Sequence, residues 1–98
     1  MKRQIVIRPE AEAEIEEAYR WYEEKREGLG SDFILCVEDG IEKIRGNPEM
    51  YPVVHRHIRR LLIRRFPYGI FYTTSKDLII VLAVFHGHRD PKQWKSRS

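Results

Sequence analysis

Eight consecutive apolar residues, Leu78–Phe85 (LIIVLAVF), constrain this chain more than any other feature. The run is rich in β-branched side chains and shorter than an ordinary buried helix, so it reads as a strand. Successive side chains of a strand point to opposite faces, and a strand apolar at every position is buried on both. The fold must therefore provide two covers for one sheet. That is a heavy demand on 98 residues, because a domain of this size buries only about 60–65% of its unfolded surface.

The other elements follow from periodicity. Gln4–Arg8 carries Ile5 and Ile7 on one side and reads as a strand. Pro9 suits the first turn of a helix, and Ala11, Ile15, Ala18 and Tyr22 follow at helical spacing. Glu10, Glu12 and Glu14 crowd its start and Lys25 and Arg26 its end, as the helix dipole favours; Gly28 supplies the stop. A second helix is predicted from an N-cap at Ser31, with Phe33, Val37, Ile41 and Ile44 on its apolar stripe, ending at Gly46-Asn47-Pro48. So short a connection makes the two helices an antiparallel hairpin. Residues 49–57 read as a loop. Ile58–Arg65, Tyr68–Thr73 and Leu78–Phe85 read as strands, the last two joined by a turn at Thr74-Ser75-Lys76-Asp77. The order is β-α-α-β-β-β: an α+β fold with a helical hairpin packed on a small antiparallel sheet. It forms one domain over residues 1–98, with a C-terminal tail from about residue 90. The hairpin covers one face of the sheet; the tail with Trp94, or a partner, must cover the other.

Composition narrows the class of function. The chain is 42% apolar and 11% aromatic, which marks a globular protein. No apolar run approaches the ~20 residues of a membrane span, and Met1–Pro9 lacks the pattern of a signal peptide. The single cysteine, Cys36, cannot form an internal disulfide and is expected to pack as a small apolar residue. A cytoplasmic location without membrane contact is predicted. The net charge of +3 conceals an asymmetry: residues 1–50 hold 8 Lys/Arg and 13 Asp/Glu, a balance of −5, whereas residues 51–98 hold 10 and 2, a balance of +8. A basic half of this kind suits an acidic partner or a polyanion, or else balances the acidic half within the fold. The densest basic run comprises Arg56, Arg59, Arg60, Arg64 and Arg65, whose guanidinium forks are shaped for carboxylates and phosphates. The alternative is a solvated edge strand kept from aggregating by its charge.

The segments "RRLLIRRFPYGIFY" and "LIIVLAVFHGHRDPKQW", with "AEAEIEEAYRWYEE" earlier, carry a resemblance. In this order of elements they are similar to the RelE/ParE superfamily of toxins from type II toxin–antitoxin systems, and most to its ParE-like, plasmid-stabilisation branch. The resemblance implies a toxin that binds a host target, DNA gyrase for characterised ParE-type members, and is neutralised by a cognate antitoxin with a small acidic C-terminal segment. A homodimer or a heterotetramer with the antitoxin is compatible with it. The alternative from the same superfamily is a RelE-like, ribosome-dependent mRNA endonuclease.

Cleavage of RNA without a metal needs a base, an acid and a cation at the phosphorane. By the resemblance, Tyr72 aligns with a tyrosine of the nuclease branch. The arginine expected three residues earlier falls on Gly69, and a second expected arginine falls near Phe85. A nuclease would have to rebuild the site from His86, His88, Arg89, Arg64 and Arg65. The chain is therefore expected to act by contact rather than by its own chemistry. The predicted contact surface for antitoxin or target takes in the five arginines, Tyr68, Tyr72, His86, His88, Arg89 and Trp94. His86-x-His88-x-Asp90 and His55-x-His57 are incomplete as metal sites, so neither a metal nor another cofactor is expected.

Overall fold

The computed structural model describes residues 3–87 and 92–97. Its order is β1 (Gln4–Ile7), α1 (Pro9–Lys25), α2 (Leu29–Gly46), β2 (Val53–His55), β3 (Ile58–Leu62), β4 (Tyr68–Thr74), β5 (Leu78–His86) and α3 (Lys92–Lys95). The predicted α+β order is present, with two additions. Strand β2 falls in the segment read as a loop. It is three residues long, directly follows Pro52, and carries only Val53-Val54 as a strand signal. A single turn of helix, α3, forms in the tail.

The sheet runs β1-β5-β4-β3-β2. It is mixed rather than purely antiparallel, because β1 lies parallel to β5 with Gln4 opposite Leu78 and Ile7 opposite Val81. The hairpin connection between the helices is tighter than the Ser31 cap implies. Arg26 ends α1 in an extended conformation, and Gly28 precedes α2 at φ 90°, where only glycine sits without strain. The first amides of α2 are satisfied from α1: the Glu23 carboxylate accepts hydrogen bonds from Gly28 N (2.9 Å) and Gly30 N (3.0 Å). Ser31 is left inside the helix.

Both faces of the sheet are covered by the chain itself. Beneath the helices, Ala11, Ala18, Phe33, Cys36, Val37 and Ile44 pack on Ile70, Tyr72, Ile79, Val81 and Val84. On the opposite face, Ile58, Phe71, Leu82, Ala83 and Phe85 form a second cluster closed by Trp94, whose ring stacks on Phe71 at 4.3 Å. A bulge makes the unbroken apolar run compatible with this division. Phe71 opposes Ala83 and Tyr72 opposes Val81, so Leu82 has no counterpart on β4. Alternation is reset there, and Leu82 and Ala83 both join the tail-side cluster. Of the two covers the sequence left open, the tail with Trp94 is the one present.

Candidate functional site

The basic run does not assemble into one patch. On β3, Arg59 shares the helix side with Leu61 and Ile63. Its Nη1 donates to the carbonyls of Glu49 (3.0 Å) and Tyr51 (2.6 Å), so it ties down the preceding loop. Arg60 points to the tail side, its stem lying over Gly69; a Cβ at that glycine would sit 3.1 Å from Arg60 Cγ. Its Nε is buried without a hydrogen-bond partner among the described residues. Arg56 takes φ 50° in the β2–β3 turn and Arg65 takes φ 70° after β3; both are exposed. Arg64 and Arg65 reach back to α2, 3.7 Å from Asp39 and 3.5 Å from Asp32. Such exposed pairs are weak and easily exchanged.

The aromatic members separate as well. Tyr72 is fully buried beneath the helices, where its hydroxyl donates to Pro48 O at 2.6 Å. Burial pushes its phenol up to about 12, with Arg59 pulling the other way. Trp94 is in the tail-side core. Neither ring is presented to a partner, because the sheet has two buried faces rather than one. Tyr68 and His86 do come together, with ring centroids 5.5 Å apart. They border a cleft of about 910 Å3 whose other wall is α1, with Trp21 and Tyr22 among its lining and Glu14, Glu17 and Glu24 as its acids. Burial, with Tyr68 next, raises the Tyr22 phenol there. His88 and Arg89 lie outside the described residues.

His55 stands beside Trp94, with ring centroids 6.3 Å apart. Desolvation, then Lys95 and Arg56, hold its imidazole below the ordinary 6.5. Among the described residues, no three His, Cys, Asp or Glu side chains group to hold a metal ion, and no helix is long and apolar enough to cross a membrane.

Two features escaped the sequence reading. The first is Glu14. The edge of β5 that runs on past β1 is closed by side chains: Val84 N donates to Glu14 Oε1 (3.1 Å), and Arg97 Nη1 donates to Leu82 O (3.2 Å). The two side chains also pair with each other at 3.0 Å, and both are mostly buried. A signal was available, since an acid between Ala11 and Ala18 on a buried stripe needs a partner. The second is a pair of exposed apolar residues, Met50 and Leu62, that border one cleft at the opposite edge of the sheet. In the sequence Leu62 looks like any other strand residue.

Comparison with known proteins agrees with this architecture. Residues 5–91 match the family profile described as the ParE toxin of the type II toxin–antitoxin system, parDE. The chain is 26% identical over 92 residues to proteins named Toxin ParE2 from two strains of Mycobacterium tuberculosis, CDC 1551 / Oshkosh and H37Rv, covering 93% of this chain and 88% of each relative. A solved structure described as the chromosomal ParDE TA system from P. aeruginosa superposes with a TM-score of 0.66 at 15% identity, covering 87% of this chain and 96% of that one. At that identity the superposition supports the fold alone. The match over residues 5–91 settles the family: this chain is a member of the ParE toxins of type II toxin–antitoxin systems.

Proposed function

We propose that this ParE-type chain acts by binding DNA gyrase and is neutralised by an antitoxin bearing an acidic C-terminal segment. The observation that carries the mode of action is Gly69. This position, which the resemblance aligns with an arginine of the nuclease branch, lies buried beneath the Arg60 stem. No cation can project from that place on β4 without displacing its neighbour. The described arginines add support, since Arg59, Arg64 and Arg65 each engage a different part of the loop or α2 rather than converging on a phosphate. The solved relative is described as a ParDE toxin–antitoxin system, which favours a protein antitoxin here. Fold likeness alone does not specify a target, so gyrase rests on the family reading.

Induced expression in a bacterial host tests the proposal. Growth arrest with DNA breaks, an SOS response and intact mRNA is expected. Primer extension showing mRNA cut at codon positions would replace this reading with the endonuclease one. A chain without effect on growth would remove both.

A further inference from the structure

Helix α1 is strongly acidic in a chain whose net charge is +3: Pro9–Lys25 sets seven glutamates against Arg20 and Lys25, a balance of −5. Residues three and four apart share a helix face, so Glu17, Trp21 and Glu24 form one stripe. All three line the cleft of about 910 Å3 that α1 forms with Tyr68, Phe85 and His86. That volume, with aromatic walls and a few polar groups, suits a small-molecule site. Glu17 and Glu24 stand about 10 Å apart along the helix axis, with the indole between them. Trp21 is 53% exposed, and its ring already receives a cation: Lys25 Nζ lies 4.8 Å from the centroid. The other charges of the cleft are engaged. Glu14 is held by Arg97 and by Val84 N, and Arg20 pairs with Glu16 at 2.8 Å. Among the described residues, neither Glu17 nor Glu24 has an ion-pair partner.

We propose that this cleft binds a small aliphatic polyamine, a molecule whose ammonium groups are joined by methylene chains. One ammonium pairs with Glu17 and a second with Glu24, and the methylenes between them lie against the Trp21 ring. Charge and spacing select this occupant together. An anion is repelled by the glutamates of α1. A hard divalent metal ion needs several oxygens converging on one point, and these two carboxylates are held apart by an indole. A monoamine reaches one carboxylate and leaves the other unpaired. An extended triamine such as spermidine bridges both, and its apolar stretches take the aromatic wall that a hydrated ion would leave bare. The Lys25 ammonium over Trp21 is the chain's own version of that contact. The inference stands apart from the gyrase and antitoxin readings, because it uses only residues of α1 and of the β4–β5 end of the sheet.

Titration of the purified chain with spermidine, followed by tryptophan fluorescence and by amide and indole N–H chemical shifts, tests this. Saturable one-to-one binding is expected, with the shifts concentrated on α1 from Ala13 to Glu24 and on Val84–His86. Spermidine is expected to bind about 5-fold or more tightly than butylamine, which carries a single ammonium. Glu17→Gln and Glu24→Gln are each expected to weaken spermidine by about 5-fold, and Trp21→Ala by about 3-fold. Glu38→Gln, which removes an exposed charge from α2 outside the cleft, is expected to leave binding unchanged. Spermidine that binds no more tightly than butylamine, or that is weakened equally by Glu38→Gln, reflects charge screening alone and overturns the proposal. Shifts centred away from the cleft overturn it as well. A short peptide with two lysines that saturates the cleft where spermidine does not makes the site a protein contact and also overturns it. Each of these outcomes leaves the toxin reading intact.

Discussion

Tyr72 shows how one residue can be placed correctly and assigned the wrong surroundings. Strand alternation puts it opposite in direction to Phe71, and the two side chains do lie on opposite faces of β4. What alternation does not reveal is that both faces are covered. Tyr72 spends its hydroxyl on Pro48 O, fixing the loop that leaves α2. Tyr72→Phe removes that donor and is expected to cost about 1 kcal/mol in chemical denaturation, with the fold retained. The phenol also makes the fold sensitive to alkali. Its folded value, about 12, stands above the ordinary 10.0. The folded chain therefore holds the proton more tightly, and the associated stability is complete below pH 10 and lost as pH rises toward about 12. Phenolate absorbance of wild type against Tyr72→Phe checks the assignment: the variant should lose the latest-titrating step.

The elements were legible where periodicity is long and obscure where it is short. Both main helices and the last three strands follow from spacing, because each repeats its pattern over several residues. Strand β2 does not, since it is built from a ladder with β3 rather than from its own residues. The start of α2 was misread because its capping group, Glu23, comes from the preceding helix. That junction makes a sharp prediction. At Gly30 an added Cβ would lie 2.6 Å from the backbone carbonyl oxygen of Tyr19, which has no rotamer to escape into. Gly30→Ala is expected to cost about 2 kcal/mol by forcing the helices apart, measured by urea denaturation. The exposed Gly46→Ala, with open space around its Cβ, is the control and should cost nothing. The edge of β5 offers a second test. Glu14→Ala leaves the Val84 amide without its acceptor and the Arg97 guanidinium without its carboxylate in a mostly buried place. A loss of about 1–3 kcal/mol is expected, with faster hydrogen exchange at Val84.

At the scale of the whole molecule, the two-sided core is the organising fact. Eight apolar residues in a row demanded two covers, and the molecule meets the demand with α1 and α2 on one side and, among the described residues of the tail, Trp94 on the other. Trp94→Ala should cost about 3 kcal/mol and expose the Phe71–Phe85 surface to a hydrophobic dye, while leaving the helix content intact. The docking set was far less legible than the fold. A run of arginines in sequence is one cluster on paper, but alternation, the end of β3 and two positive-φ positions scatter it over the loop, the tail face and α2. Exposed apolar side chains remain at Val6, Trp21 and Leu35 as well as at Met50, Val53 and Leu62. On the proposed function, this ParE-type chain acts by gripping another macromolecule. The most direct measurement is DNA supercoiling by purified gyrase with the purified chain added. Loss of supercoiling with accumulation of cleaved DNA is expected, reversed by a cognate antitoxin. Gyrase that supercoils unchanged at saturating amounts of a folded chain, while ribosome-bound mRNA is cut, would contradict it.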